Sequence, residues 1–333
     1  MSSEESFDLV VVGAGPCGIS VGIAAREAGM SCVLVEQGCV TRGISLYPIY
    51  GTFFSTPEKL EMGGVPFHTA GEKPTRLEAL AYYRRVVDEH QLDVRQYERV
   101  EAIEGSLGDF RVRSRSSAGE ATYRARRVVV ATGYFDTPNL LGIPGEELPK
   151  VSHWYREGAP YFRQRVLVIG GGNSAAEAAL DLVRFGAHVS LAHFESALDP
   201  GIKPWIMPEL ERRIASREIE TWFCCRATRI TATTVTLRDV NSGVEHVVEN
   251  DFVFAMTGWR PEAPLLRALN VGFDPETSVP QHDPDTLETD VPGVYIAGVL
   301  VTGSNKTFIE NGREHGAMIV GAIRAREGAP ASS

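Results

Sequence analysis

Two short glycine-rich stretches carry the residue types that could hold a phosphate. Gly13-Ala14-Gly15-Pro16-Cys17-Gly18 follows the apolar, β-branched run from Phe7 to Val12. Gly170-Gly171-Gly172-Asn173-Ser174-Ala175 follows Val166-Leu167-Val168-Ile169. Glycines so spaced let a chain turn sharply out of a strand and bring backbone N–H groups close to an anion at the positive end of the next helix. The ligand suited to that geometry is a pyrophosphate. A single stretch of this kind is weak support, because it occurs by chance, but here the two copies are in register.

Gly15 and Gly172 each stand 14 positions before a cap glycine, Gly29 and Gly186, and seven more positions reach Glu36 and His193. Each copy later runs into an apolar strand and a turn: Val128-Val129-Val130-Ala131-Thr132-Gly133, then Phe252-Val253-Phe254-Ala255-Met256-Thr257-Gly258. The repeat predicts an α/β chain of two Rossmann-like dinucleotide-binding domains. The first copy is longer by about 32 residues, the excess lying around 41–90, where Tyr47-Pro48-Ile49-Tyr50 and Thr52-Phe53-Phe54-Ser55-Thr56 precede a helix-like run from Arg76 to His90. An aromatic-rich insertion suits a larger, flat cofactor, so FAD is assigned to the first copy and a pyridine nucleotide to the second.

Glu36, followed by Gln37, stands where a carboxylate can accept hydrogen bonds from a ribose diol. His193 takes that place in the second copy, so no carboxylate there repels a 2′-phosphate; NADPH is expected, with NADH possible. Phe194 and Glu195 follow instead of arginines, and the nearest cations along the chain are Lys203, Arg212 and Arg213. Val294 to Gly298 is a further strand ending at glycine, and a helix-like run from Thr307 to Ile323 would set its N-terminus toward the pyrimidine end of the flavin. The tail thus returns to the first domain. The expected order is an FAD-binding domain from 1–133 and 259–333, with an NAD(P)H-binding domain, 134–258, inserted into it.

The expected flavin residues are Gly13, Gly15, Pro16, Cys17, Gly18, Glu36, Gln37, Tyr47, Thr52, Phe53, Phe54, Val100, Ala131, Thr132, Gly133, Gly298, Val299, Phe308 and Ile309. Those expected at the pyridine nucleotide are Gly170, Gly172, Asn173, Ser174, Ala175, Glu177, His193, Lys203, Thr257 and Gly258.

Composition narrows the partners. A net charge of −10 over 333 residues argues against nucleic acid and anionic membrane surfaces. The polar start MSSEES and the lack of a membrane-length apolar run point to the cytoplasm. Five cysteines without a CxxC or a ligand-spaced cluster make a disulfide framework or metal site unexpected. Cys224 and Cys225, beside Trp222 and Phe223, read as apolar packing. Arg111, Arg113 and Arg115 alternate as on the wet face of a strand.

With these features in hand, the chain resembles the two-domain flavoproteins of low-molecular-weight thioredoxin reductase type, and among them the YpdA family of bacillithiol disulfide reductases. The resemblance spans nearly the full length. It is carried by GAGPCG at 13–18, Tyr47-Pro48 with TFFST at 52–56, GGGNSAAEAA at 170–179, IKPWIMPE at 202–209 and TFIENGR at 307–313. It implies hydride transfer from NADPH to FAD and on to a low-molecular-weight disulfide such as bacillithiol disulfide, with Cys17 as the redox cysteine, in a homo-oligomer. The missing CxxC separates the chain from thioredoxin reductases.

The residues themselves leave Cys17 open. A helix N-terminus lowers a thiol pKa, an adjacent pyrophosphate raises it, and the register aligns Cys17 with Ser174. Three positions depart from the patterns of related flavoproteins: Val299 follows Gly298 where thioredoxin reductases carry an acid, Phe194 replaces an arginine, and Gly38-Cys39-Val40 stands for Gly-His-Asn. The alternative reading is a flavoprotein that reduces a protein carrier, ferredoxin or flavodoxin. A flavin monooxygenase fits less well, because Glu147 and Pro149 occupy the Phe and Gly places of the signature that His153 would end.

Overall fold

Strands covered on both faces read as unbroken apolar runs rather than alternating ones. Leu9 to Val12 and Val166 to Ile169 are such runs, all buried. The computed structural model describes residues 5–261, 263–303 and 308–328. The chain opens with β1 (Glu5–Val12), α1 (Pro16–Glu27), β2 (Cys32–Glu36), α2 (Arg42–Ser45), α3 (Pro57–Leu60) and α4 (Arg76–Glu89). It continues through β3 (Asp93–Gln96), β4 (Arg99–Ser106), β5 (Asp109–Ser116) and β6 (Gly119–Val130). Next come β7 (Val151–Ser152), β8 (Arg165–Ile169), α5 (Asn173–Arg184), β9 (His188–Ala192), α6 (Met207–Ala215), β10 (Ile219–Trp222) and β11 (Cys225–Ile230). The last elements are β12 (Thr234–Asp239), β13 (Glu245–Glu249), β14 (Phe252–Ala255), α7 (Pro264–Ala268), β15 (Val294–Ile296), α8 (Ile309–Gly312) and α9 (His315–Gly328).

Contacts divide the chain into two units, one of residues 1–45, 51–137 and 260–333, the other of 46–50 and 138–259. The first is built on a sheet ordered β3-β2-β1-β6-β5-β4. β6 pairs from Tyr123 to Val130 with β1 in parallel, and on its other side with antiparallel β5 as far as Ala125 and then with parallel β15 from Val128. The second unit holds a parallel sheet ordered β10-β9-β8-β14-β7 and a separate antiparallel sheet β11-β12-β13. Both units are α/β with parallel strands, as the repeat predicts.

Local chemistry accounts for the ends of the elements. Thr75 and Glu78 form a reciprocal capping box at the start of α4, each accepting the other's backbone N–H at 3.2 and 2.7 Å. The hydrogen bonds from Ala70 and Thr75 hold the Glu78 carboxyl below the usual carboxylate range. In β5 the arginines Arg111, Arg113 and Arg115 are exposed and alternate with buried Phe110, Val112 and Ser114, the wet face their spacing predicts. Cys225 is buried in the apolar core beside β8, and all five cysteines are free thiols.

The single helix expected from Thr307 to Ile323 is two helices, α8 and α9, and Thr307 lies outside the described residues. The break falls where the chain is tied down from outside. Ser20 Oγ donates to the Arg313 carbonyl at 2.6 Å and accepts the Gly316 N–H at 3.1 Å, while the Arg313 guanidinium donates to the carbonyls of Glu58 and Glu61. These bonds compete with continuous helical pairing.

Candidate functional site

The two glycine turns adopt one construction. Gly13 and Gly170 have φ of +108° and +146°, conformations that side chains resist. A Cβ there would lie 2.6 Å from the Ala131 carbonyl oxygen and 2.3 Å from that of Met256. Each strand β1 and β8 is therefore pressed against its own late turn at the point where the chain leaves the sheet. Gly15 and Gly172 differ from them: both are extended helix N-caps, and nothing lies within 4 Å of where their Cβ would be.

Neither α1 nor α5 has a side-chain cap or an acidic residue in its first turn. An ordinary helix start satisfies its leading N–H groups with a Ser, Thr, Asp or Asn. Two 12-residue helices left uncapped, each before open space and a glycine, suit a bound pyrophosphate that would complete them.

Around the first turn, Glu36 is buried at the end of β2, and its carboxylate accepts the N–H groups of Ala14 at 2.9 Å and Gly38 at 2.8 Å. Burial pushes its pKa up and those two bonds pull it down. A carboxylate has about four lone-pair positions, so capacity remains for a ribose diol. Gln37 donates to Asp136. Thr52 bridges Thr75, the Phe53 N–H donates to the Pro74 carbonyl at 2.8 Å, and Phe54 is exposed. Val100 is buried on β4, Ala131 bonds back to the Val12 carbonyl at 2.8 Å, Thr132 is exposed, and Gly133 has open space above it. Tyr47 lies in the 46–50 segment of the second unit, where Ile49 bonds to Arg156 and Tyr50 meets Tyr155 edge-on.

The tail packs on the first turn. A Cβ on Gly298 or Gly312 would lie 3.2 or 2.3 Å from the Cys17 sulfur, so the thiol occupies space those glycines leave free. Burial pushes the Cys17 thiol up to about 12. Gly298 N–H donates to Nδ1 of buried His315 at 3.0 Å, and burial lowers the pKa of that imidazole. Val299 is buried in a short 3-10 turn, while exposed Phe308 caps α8 ahead of Ile309. Gly312, Ser20 and His315 escaped the sequence reading, because their partners are nearly 300 positions away or cross the tail; the run ENG beside a helix was the only signal.

In the second unit Asn173 accepts the Lys203 N–H at 2.8 Å and donates to the Gly201 carbonyl. The Lys203 ammonium is 2.6 Å from Glu177. Ser174 is exposed, Ala175 is buried, and Thr257 with Gly258 is braced by hydrogen bonds to Asn139. The ring of His193, at the end of β9, lies against Gly171, as Glu36 lies against Ala14.

The profile of the pyridine nucleotide-disulphide oxidoreductases matches residues 10–298, both turns included. The chain belongs to that family. It is 42% identical over 322 residues to a bacilliredoxin reductase of Bacillus subtilis, covering 96% of this chain and 98% of that one. Among solved structures it is similar to bacillithiol disulfide reductases from Bacillus cereus, with a TM-score of 0.93, 41% identity and 97% and 100% of the two chains covered. The Staphylococcus aureus counterpart gives 0.92, 36%, and 97% and 99%. As a member of this family the chain is a pyridine-nucleotide-dependent disulfide oxidoreductase that uses a flavin and NAD(P)H. Among the described residues no helix is long and apolar enough to cross a membrane, and no cluster of His, Cys, Asp and Glu could hold a metal.

Proposed function

We propose that the chain takes hydride from NADPH onto FAD and reduces bacillithiol disulfide, in the cytoplasm and as a homo-oligomer. The likeness to bacillithiol disulfide reductases over nearly the whole of both chains carries this reading. The sequence has no CxxC dithiol of the kind that thioredoxin reductases present to a protein substrate.

The first turn, with Gly13, Gly15, Gly18 and the α1 N-terminus, would hold the FAD pyrophosphate, and Glu36 its adenosine ribose. The second turn, with Gly170, Gly172 and α5, would hold the nicotinamide dinucleotide. Bound FAD would supply two-electron chemistry, accepting hydride and giving two electrons to a disulfide. Cys17 is the chain's own group for the sulfur step. Its thiolate attacks one sulfur of the disulfide, a Cys17–S–S bond forms as the substrate S–S bond breaks, and one bacillithiol leaves as thiolate; two electrons from the bound flavin would then break the Cys17–S–S bond, returning the Cys17 thiolate and the second bacillithiol thiolate.

Oxidation of NADPH by the purified holoenzyme, followed at its absorbance band, tests the proposal. Bacillithiol disulfide should accelerate it at least 10-fold over cystine, glutathione disulfide, ferredoxin and flavodoxin. A rate highest with ferredoxin or flavodoxin would replace the disulfide with a protein carrier.

A further inference from the structure

The mirrored turns point to a residue that selects the nucleotide. Glu36 sits on the first turn through the Ala14 N–H, and His193, its counterpart, sits on the second with its ring against Gly171. The adenosine ribose of the second nucleotide therefore falls near His193. Phe194 meets the His193 ring at a centroid distance of 4.8 Å, and the Arg226 guanidinium lies over the other ring at 4.2 Å from the Phe194 centroid. Arg226 comes from β11, a strand of the separate sheet, and its side chain is exposed.

The charges around this cluster single out Arg226. Lys203 is neutralised by Glu177, Arg212 by Glu218, and Arg213 by Glu209 and Glu218. Arg238, the register partner of Arg226 on β12, is paired with Glu245 at 2.6 Å. Among the described residues no carboxylate forms an ion pair with Arg226. The buried His193 leaves its Nδ1 without a hydrogen-bond partner. A guanidinium set over an aromatic ring can still direct its N–H groups to a phosphate. The opposing charges are Glu195, 3.8 Å from His193 Nε2 and exposed, and Asp199, whose carboxylate already accepts the Gly201 N–H at 2.7 Å.

Building on the assignment of a pyridine nucleotide to the second turn, we propose that Arg226, stacked on Phe194 beside His193, binds the 2′-phosphate and makes this enzyme prefer NADPH. The arginine that thioredoxin-reductase-like chains carry in the position of Phe194 is thus supplied from the neighbouring sheet, through space rather than along the chain.

Calorimetric titration of the holoenzyme with adenosine 2′,5′-bisphosphate and with 5′-AMP tests the assignment without turnover. The wild type should bind the bisphosphate at least 10-fold more tightly than AMP. Arg226→Gln should lose about 10- to 150-fold for the bisphosphate, the worth of one charge-assisted contact, with AMP affinity held within about 3-fold. Arg226→Lys should restore part of the loss. Equal wild-type affinity for the two ligands, with Glu195→Gln weakening AMP, would overturn the proposal and give the ribose to Glu195. An unchanged bisphosphate affinity in Arg226→Gln would overturn it as well. The bacillithiol disulfide assay, run on the wild type at saturating NADPH, does not depend on Arg226, so failure of the substrate reading is seen separately.

Discussion

Leucine in place of Gly15 should give a folded but colourless protein, whereas leucine in place of Gly172 should give a yellow one that NADPH no longer reduces. Both glycines are extended, with φ of −72° and −98°, a conformation open to every residue, and nothing lies within 4 Å of either Cβ direction. The protein itself therefore tolerates the side chain at a cost of about 1 kcal/mol for the poorer N-cap. A pyrophosphate cannot lie against the helix end once the space is filled, and affinity should fall at least 100-fold, about 2.7 kcal/mol. Flavin absorbance per chain, a thermal melt of each variant and anaerobic reduction by NADPH separate these outcomes. Gly13→Leu serves as the contrast. It forces a side chain into φ of +108° with a Cβ 2.6 Å from the Ala131 carbonyl, so it should unfold the first unit as well as empty it. Normal flavin content in Gly15→Leu would remove the first turn from the flavin site.

How much of this was legible in the sequence depends on the range of the interaction. The strand, glycine turn and helix of each copy rest on neighbours within about 30 residues, so their spacing announces them. The equivalence of Glu36 and His193 followed from counting, and the structure sets both against the corresponding residue of their turns. What the spacing could not show was through-space assembly. Arg226 lies about 30 positions beyond Phe194 and on another sheet, so nothing in the spacing along the chain ties the two together. The contact of Gly298 and Gly312 with Cys17 joins the two ends of the chain. The split of the last helix into α8 and α9 was equally hidden, because the bonds that compete with it run to Ser20 on α1 and to the carbonyls of Glu58 and Glu61.

Cys17→Ser should keep its flavin and be reduced by NADPH at the wild-type rate, but should lose at least 100-fold in turnover of bacillithiol disulfide. Serine is the residue of the second copy at this position, Ser174, so the turn accepts it, and its smaller oxygen leaves the packing against Gly298 and Gly312 free of clash. An alkoxide cannot be formed and exchanged as a thiolate can, so the mixed disulfide is lost. The burial of the thiol adds a signature in pH. With its pKa pushed up to about 12, Cys17 is protonated at neutrality. Below that pKa the thiolate fraction rises tenfold per pH unit, so reoxidation by disulfide should quicken by about 100-fold from pH 7 to pH 9. Reduction by NADPH, which does not use the thiol, should not follow that slope. Stopped-flow measurement of the two half-reactions in both proteins reads this directly. Wild-type turnover in Cys17→Ser, with a flat pH profile of reoxidation, would make Cys17 a packing residue whose role is to fill the space left by the two glycines of the tail.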